Sequence, residues 1–317
     1  MKYFVTGING QLGYDVIREL YKRGYDLIGS DITDYYSGIM GIPESESFSY
    51  KKLNITDSDA VFRVMEEVVP DVVIHCAAWT AVDMAEDESN IDIVRAVNIQ
   101  GTLNIANACK RIGCKMVYMS TDYVFDGTGT KPWKPECKDF NPLNIYGRTK
   151  LEGEFAVANT LDKYFIIRTS WVFGLNGNNF IKTMINIGKT HDEVRVVSDQ
   201  IGTPTYCCDL ARIIVDVCET DKYGYYHVTN SEVSDDEAGD IECKQGYISW
   251  YDFCCEIYRQ YGLRTKITAV TTSEYGLSKA ARPANSRLDK RKLIEKGFEP
   301  LPTWQDAIKR YLKEANL

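Results

Sequence analysis

Short apolar runs alternate with stretches of helical periodicity in the first half of the chain, and this alternation limits the possible folds more than any other feature. The strand-length apolar runs lie at residues 3–6, 26–30, 71–76, 116–120 and 164–169. The helical stretches lie at residues 12–23, 57–69 and 93–112, and from residue 144 onward. Strands that alternate with helices join through right-handed crossovers, which predicts an α/β fold with a doubly wound parallel sheet.

The second half is less regular and predicts a smaller C-terminal α+β lobe that covers the strand ends. Short strands are expected at 194–197 and 225–228, and helices at 208–219, at 249–261 and after Pro302. We assign residues 1–172 to the first domain and 173–317 mainly to a substrate-binding lobe. Part of 194–222 is expected to return to the first domain.

Two helix starts carry side-chain caps in the sequence. Asp57 is suited to cap a helix that Pro70 ends, and Ser249 with Asp252 resembles a capping box. These signals predict where two of the helices begin.

Charge and composition narrow the classes of function. A net charge of -8 disfavours nonspecific binding to nucleic acid or to anionic membranes. The 10 cysteines form no C-x-x-C pair and have only 3 histidines beside them, so we predict no metal site and reduced thiols. No signal peptide or bilayer-spanning run is recognised, and a cytoplasmic location is expected.

Residues 231–243 form an acidic stretch with almost no large apolar side chains. A solvated surface loop is the expected structure for such a charge run.

Three glycines follow the first strand, at Gly7, Gly10 and Gly13. A strand, a glycine turn and a helix N-terminus together make a site for the pyrophosphate of a dinucleotide, because small residues let the phosphates approach the backbone. The spacing differs from the usual G-x-G-x-x-G, and a plain tight turn is the alternative. The first domain is therefore predicted to be a Rossmann-type domain that binds NADPH or NADH.

Asp31 lies at the end of the second predicted strand. A carboxylate there accepts hydrogen bonds from the adenosine ribose and repels a 2′-phosphate, which favours NADH. A turn or capping aspartate is the alternative.

Tyr146 and Lys150 are four residues apart on a predicted helix, so both side chains lie on one face. An ammonium group nearby is expected to lower the pKa of the phenol and to make it a general acid for a carbonyl oxygen. Thr121 ends a strand at the sheet edge where catalytic groups collect, and is suited to bind the same oxygen. A surface tyrosine beside a lysine is the alternative.

Eight segments resemble the dTDP-4-dehydrorhamnose reductase family of the extended short-chain dehydrogenase/reductase superfamily, in family order and over nearly the whole chain. Four lie in the first half: V-T-G-I-N-G-Q-L-G (5–13), A-A-W-T-A-V-D-M-A-E (77–86), S-T-D-Y-V-F-D-G (120–127) and P-L-N-I-Y-G-R-T-K-L-E-G-E (142–154). Four follow: R-T-S-W-V-F-G (168–174), G-N-N-F-I-K-T-M (177–184), D-Q-I-G-T-P-T (199–205) and A-R-P-A-N-S-R-L-D (281–289).

The resemblance implies roles for residues at matching positions. Those expected at the cofactor are Gly10, Gln11, Leu12, Asp31, Asn54, Ile55, Ala77, Ala78, Trp79, Met119 and Lys150. Those expected at the sugar are Thr121, Asp122, Trp171 and the proton donor Tyr146. Those expected at the nucleotide diphosphate are Asn179, Lys182, Arg282 and Arg287. The implied substrate is a dTDP-linked deoxy-keto sugar, and a homodimer is a further expectation.

Several positions depart from the family pattern. Asn54 replaces a common aspartate and Trp79 a frequent histidine, and either change can alter cofactor affinity. Some members bind magnesium through glutamates; Asp15 lies near one such position without a convincing set of ligands. The acidic stretch looks like an insertion.

The alternatives are another 4-keto nucleotide-sugar reductase of the same superfamily, an epimerase and a regulatory subunit, whereas the sequence argues against a dehydratase. A sugar-nucleotide dehydratase has Asp-Glu directly after the threonine, whereas here Asp122 and Tyr123 follow Thr121. An epimerase of the same superfamily recycles its cofactor and needs no net supply of hydride. A non-catalytic regulatory subunit is the third, since a fold alone does not imply activity. The intact Tyr146 and Lys150 favour simple reduction of a 4-keto group.

Overall fold

The structure is a computed structural model that describes residues 1–36, 48–231 and 246–317. Its strands are β1 (Lys2–Thr6), β2 (Asp26–Asp31), β3 (Ser49–Lys52), β4 (Val72–His75), β5 (Lys115–Thr121), β6 (Tyr164–Thr169), β7 (Val172–Phe173), β8 (Glu193–Val197), β9 (Ile201–Gly202), β10 (Thr205–Tyr206), β11 (Gly224–His227), β12 (Ile248–Ser249) and β13 (Lys266–Val270). Its α-helices are α1 (Gln11–Lys22), α2 (Ser58–Val68), α3 (Ile91–Arg95), α4 (Thr102–Ile112), α5 (Ile145–Thr160), α6 (Phe180–Gly188), α7 (Cys207–Cys218), α8 (Trp250–Tyr261), α9 (Thr272–Tyr275), α10 (Arg291–Glu295) and α11 (Trp304–Glu314).

A seven-stranded sheet organises the larger domain, in the order β11-β6-β5-β4-β1-β2-β3. Every neighbouring pair in it is parallel. Helices α1 and α7 cover one face, and α2, α4 and α5 cover the other. The predicted α/β class with a doubly wound parallel sheet is therefore confirmed. The chain winds outward in both directions from β1 and β4, and a crevice opens at their carboxyl ends, where such sheets bind ligands.

Both predicted caps are present. The Asp57 side chain accepts a hydrogen bond from the Ala60 amide, and α2 ends at Val68, just before Pro70. Ser249 and Asp252 form a reciprocal capping box at the start of α8. Each cap satisfies amides that the helix itself leaves free, worth about 1 kcal/mol.

The helix predicted at 93–112 is interrupted. A π-helical segment, Ala96–Gly101, separates α3 from α4, so the chain carries one turn that is wider than the α-helix on either side. Asn98 lies in this segment and is fully buried.

The smaller lobe has its own core. Strand β8 pairs in parallel with β13, and helices α6, α8 and α11 pack around an aromatic cluster that includes Phe173, Phe253 and Tyr311. Helix α7 and strand β11 leave this lobe and complete the large sheet. Part of residues 194–222 was predicted to return to the larger domain. Helix α7 is the part of this range that does so, whereas β8 lies in the smaller lobe. Strand β11, which also joins the large sheet, follows the predicted range.

Residues 232–243 of the acidic stretch lie outside the described residues. Within the ranges that the structure describes, no helix is both long and apolar enough to cross a bilayer. In those same ranges no three His, Cys, Asp or Glu side chains converge as metal ligands.

Candidate active site

A cleft of about 850 Å³ lies at the carboxyl ends of the central strands, between the large sheet and the smaller lobe. It brings together most of the residues that the sequence singled out. Those that line it are Gly7, Gly10, Gln11, Leu12, Gly13, Asp31, Asn54, Ile55, Ala77, Ala78, Trp79, Met119, Thr121, Asp122, Tyr146, Lys150 and Trp171.

Two of the three glycines in the turn cannot carry a side chain in this fold, whereas the third has space for one. Gly7 has φ +74°, and a Cβ there would lie 2.5 Å from the Ala77 nitrogen. A Cβ on Gly13 would lie 2.2 Å from the Gly7 carbonyl oxygen. A Cβ on Gly10 would meet that oxygen at 3.3 Å, a much milder approach. Gly10 precedes α1 and has no side chain, so the first amides of the helix remain accessible to an anion.

Asp31 is held at the end of β2 by two backbone amides. Its Oδ2 accepts from the Asn9 nitrogen at 2.9 Å, and its Oδ1 accepts from the Ile32 nitrogen at 2.7 Å. The carboxylate is thereby fixed in the cleft wall, where it can meet the hydroxyls of a ribose. The glycine turn, the open helix end and this carboxylate fit a dinucleotide.

Asn98, which the sequence reasoning missed, holds the loop that carries Trp79. Its Oδ1 accepts from the Trp79 nitrogen at 2.8 Å, and its Nδ2 donates to the Trp79 oxygen at 3.2 Å. The same Nδ2 donates to Thr149 Oγ1 at 3.0 Å, which ties the loop to α5. The signal available in the sequence was a polar residue between the apolar positions of a predicted helix.

Tyr146 lies in the first turn of α5, which Asn144 caps by accepting from the Gly147 nitrogen at 2.7 Å. The Thr121 side chain lies near the Tyr146 hydroxyl and lowers the pKa of the phenol. Thr121 Oγ1 in turn donates to Asp122 Oδ1 at 2.9 Å. Helix α5 and the end of β5 therefore bring a phenol, a hydroxyl and a carboxylate to one point of the cleft.

The expected lowering of the Tyr146 pKa is wrong. Desolvation of the phenol raises the pKa of Tyr146, the nearby Asp122 charge raises it further, and the Thr121 side chain offsets only part of this. Burial instead acts on Lys150, which is 3% exposed, and lowers its pKa to about 7. The Lys150 Nζ atom lies 4.1 Å from the centre of the Tyr118 ring. The phenol thus remains protonated at neutral pH, as a proton donor requires.

Asp122 is 3% exposed, and burial raises its pKa to about 6. Its Oδ2 atom has no partner at hydrogen-bond geometry within the described parts of the chain, although the Ser286 side chain lies near enough to lower the pKa of this carboxyl. A buried carboxylate oxygen that lines a cleft and lacks a partner is suited to a polar group of a ligand.

Trp171 forms part of the cleft wall together with Trp250, a residue that the sequence reasoning missed. The two rings stack with centroids 3.8 Å apart and an angle of 17° between their planes. Trp171 has φ +50°, an unusual backbone state for a residue other than glycine. Trp250 is the first residue of α8, directly after the capping residue Ser249, and only its position next to that cap could have drawn attention to it.

Four predicted diphosphate ligands do not line the cleft, because each side chain has a partner elsewhere. Asn179 caps α6, and its Nδ2 donates to the Gly174 oxygen at 2.8 Å. Lys182 donates to the Leu175 and Gly177 carbonyl oxygens. Arg282 donates to the Asp83 carboxylate at 2.6 Å, and Arg287 donates to Asn285 Oδ1 at 3.0 Å.

A Rossmann-type sheet whose switch-point cleft carries a tyrosine and a lysine on one helix defines a protein of the short-chain dehydrogenase/reductase type. The profile of the RmlD substrate binding domain matches residues 1–317, and the chain belongs to this family.

Named relatives are similar over their full length. The spore coat polysaccharide biosynthesis protein SpsK of Bacillus subtilis strain 168 is 39% identical, with 99% of this chain and 97% of that protein aligned. The crystal structure of a dTDP-4-dehydrorhamnose reductase from Clostridium acetobutylicum is 39% identical, covers 100% of both chains and has a TM-score of 0.86. The corresponding enzyme of Bacillus anthracis, solved in complex with NADP, is 37% identical over 99% of this chain and 100% of its own, with a TM-score of 0.84.

Proposed function

We propose that this protein reduces the 4-keto group of dTDP-4-dehydro-L-rhamnose to the alcohol of dTDP-L-rhamnose, with NADPH or NADH as the reductant. One observation carries the proposal: Tyr146, Thr121 and Lys150 line one cleft together with the glycine turn after β1. The family and the names of the full-length relatives support the dTDP-sugar as substrate.

The residues around the glycine turn would hold the dinucleotide. Gln11 and Leu12 would present backbone amides at the start of α1 for the pyrophosphate, with Gly10 giving close backbone approach while its own amide donates to the Gly7 oxygen at 3.1 Å. Asp31 would accept from a ribose. When bound, the reduced nicotinamide supplies the hydride for carbon C4 of the sugar. The Asp31 carboxylate favours NADH, whereas a relative was solved with NADP, so both cofactors belong in the test.

Tyr146 would complete the reduction by donating its phenolic proton to the oxygen of the former carbonyl group. Hydride at carbon and a proton at oxygen turn the ketone into an alcohol, and the phenolate that remains recovers a proton from solvent. The raised pKa of Tyr146, caused by desolvation, keeps the proton in place until charge develops on the substrate oxygen. Thr121 supports the same oxygen, and Lys150 supplies positive charge on the same face of α5.

Asp122 and Trp171 would contact the sugar, the first through its Oδ2 atom and the second through its indole ring, because both residues line the cleft. A homodimer and a cytoplasmic location stay predictions. Gel filtration with light scattering tests the first, and cell fractionation tests the second.

A Tyr146→Phe variant tests the mechanism. We expect kcat to fall by about two to four orders of magnitude, the range that general acids supply, with cofactor affinity retained. Tyr123→Phe is the matched control, because Tyr123 lines the same cleft and packs edge-on against Tyr146 at 5.9 Å. Unchanged turnover in Tyr146→Phe would remove this residue from the mechanism.

A substrate panel tests the reaction itself. NADPH or NADH absorbance is followed with 4-keto nucleotide sugars that differ in base and sugar, and the dTDP-linked 6-deoxy-4-keto sugar is expected to consume reductant in equal amounts. Turnover without net consumption would indicate an epimerase. No reaction with any of the sugars would favour the regulatory subunit.

A further inference from the structure

Glu154 is a fully buried carboxylate on the same helix as Tyr146 and Lys150. The three residues follow each other at intervals of four, so their side chains share one face of α5. Glu154 Oε1 accepts from Ser120 Oγ at 2.5 Å and from Arg168 Nε at 2.8 Å, and its Oε2 accepts from Arg168 Nη2 at 2.7 Å. The carboxylate therefore has a fixed position one helical turn beyond Lys150.

The stability of the fold does not explain this ion pair. Glu154 and Arg168 are both 0% exposed, and the desolvation cost of such a pair offsets much of its attraction. Two apolar side chains of similar size would serve the core at least as well. The guanidinium also lies over the rings of Phe125, Phe140 and Tyr225, which further fixes the carboxylate. Such a carefully held buried charge points to a role outside packing.

Lys150 is the group on which this charge acts. From β4, His75 faces it, and burial lowers the pKa of that histidine to about 3, so the ring is neutral. Cys76 follows β4, and burial raises the pKa of its thiol to about 12, so it too is neutral. From β5, Tyr118 offers the face of its ring. Within the described residues, Glu154 is the carboxylate whose charge favours the ammonium form of Lys150.

We propose that Glu154 is a positioning residue: held by Arg168 and Ser120, it keeps the Lys150 ammonium charged on the Tyr146 face of α5. The inference rests on the reduction proposed above, because it assigns Lys150 the task of supplying positive charge there. Glu154 itself touches neither substrate nor cofactor.

The sign of the effect follows from the charge. Burial already lowers the pKa of Lys150 to about 7, and the Glu154 carboxylate opposes that fall. Without this negative charge the pKa falls further, and Lys150 loses its proton at a lower pH. We expect the Lys150 titration midpoint to move down by about one pH unit, which means a roughly tenfold smaller ammonium fraction above the midpoint.

The first experiment measures this midpoint without any substrate. Full-length protein labelled with ¹³C at lysine Cε is titrated by NMR, with Lys150→Met to assign the signal, and Glu154→Gln is compared with the native chain. Ser120→Ala is the matched control, because it removes one hydrogen bond but keeps the carboxylate, and its midpoint is expected within about 0.3 pH units of the native value.

A double variant covers the case in which Glu154→Gln fails to fold because Arg168 remains buried without a partner. Glu154→Gln combined with Arg168→Met removes both charges and keeps the volume, and the Lys150 midpoint is again expected below the native value. A native midpoint in whichever of these variants folds would overturn the proposal.

The second experiment links the midpoint to turnover. If Lys150 must be charged, kcat falls as pH rises, and in Glu154→Gln this fall is expected at a pH lower by the same interval as the NMR midpoint. A purely structural role would lower kcat at every pH without moving the profile, which would overturn the proposal. If the native protein reduces none of the sugars while the midpoint still moves, the proposed function fails and the coupling of Glu154 to Lys150 stands.

Discussion

Gly13→Ala should mainly lower the stability of the fold, whereas Gly10→Ala should mainly lower the affinity for the cofactor, although the two glycines belong to one turn. A Cβ on Gly13 would lie 2.2 Å from the Gly7 oxygen, more than 1 Å short of an ordinary contact, and its other near neighbours are backbone atoms of Gly7 and Ile8 in the turn. Helix α1 must then move away from the sheet. Overpacking of this kind costs roughly 1–3 kcal/mol, and a clash with backbone belongs at the upper end.

The expected cost converts into a measurable shift. Unfolding entropy of about 2.1 cal/mol/K per residue gives roughly 0.7 kcal/mol/K for this chain, so about 3 kcal/mol lowers Tm by ~4 °C. At Gly10 a Cβ meets only one atom, at 3.3 Å, and alanine in place of glycine before a helix costs about 1 kcal/mol. Gly10→Ala should therefore stay within ~2 °C of the native Tm.

Cofactor affinity should follow the opposite order. The methyl group of Gly10→Ala points to the space in front of α1 that the pyrophosphate needs, so we expect the Kd for NADPH and NADH to rise at least about tenfold. Calorimetry gives Tm, and quenching of intrinsic fluorescence gives Kd. A native Tm for Gly13→Ala, or a native Kd for Gly10→Ala, would show that these contacts do not govern the turn.

Two further perturbations test the cleft wall and a buried carboxyl group. Trp250→Ala removes the ring stacked on Trp171 and should raise KM for the sugar nucleotide about tenfold, with a smaller change in kcat. Trp250→Phe keeps an aromatic ring and should restore most of the loss. Equal KM values in the native protein and both variants would show that the stack does not contribute to binding. Asp15 is 2% exposed, and burial raises its pKa to about 7 although Arg18 Nη1 donates to its Oδ1 at 3.0 Å and opposes the rise. Between about pH 4 and 7 the folded protein therefore holds a proton that the unfolded chain has released. The free energy of unfolding should fall as pH rises through this window, and in Asp15→Asn this fall should be smaller by at least about 1 kcal/mol. Urea unfolding at about pH 5 and about pH 7.5 measures the fall for both proteins. An equal fall in the native chain and in Asp15→Asn would contradict the prediction.

Local signals in the sequence were sufficient for five strands of the large sheet, β1, β2, β4, β5 and β6, whereas the polar strand β3 (Ser49–Lys52) was missed. The five predicted strands share one pattern. Each of these strands is an apolar run that stops at glycine or at a polar residue, and Asp57 and Ser249 mark helix starts through bonds to amides three residues away. Interactions of such short range depend on neighbouring residues alone, so the sequence displays both partners.

The residues of the candidate site were predicted where a strand end or a helix turn brings them together. Thr121 ends β5, and Tyr146 and Lys150 are one turn apart on α5, so the topology of a parallel sheet is enough to gather them. The pKa of Tyr146 was not predictable, because desolvation and the Asp122 charge depend on how the loops pack.

Long-range pairing explains the remaining differences. Arg282 was expected at a diphosphate, but it bonds Asp83, nearly 200 positions earlier in the chain, and nothing local in the sequence indicates that partner. The π-helical turn at Ala96–Gly101 likewise leaves the apolar spacing on either side intact while it turns Asn98 toward Trp79. The sequence of β11 predicts a short strand but does not indicate which sheet it joins. Its membership of the large sheet follows only from its parallel pairing with β6.

The route of the chain between the two lobes also limits how this protein can diversify. After β6 it enters the smaller lobe, returns through α7 and β11, leaves again for α8, touches β11 once more through α10 and finishes in α11 against the smaller core. No single cut therefore separates a module for the dinucleotide from one for the sugar. A new sugar specificity cannot be acquired by exchanging one terminal gene segment, and must arise through point changes in cleft residues such as Trp171 and Trp250.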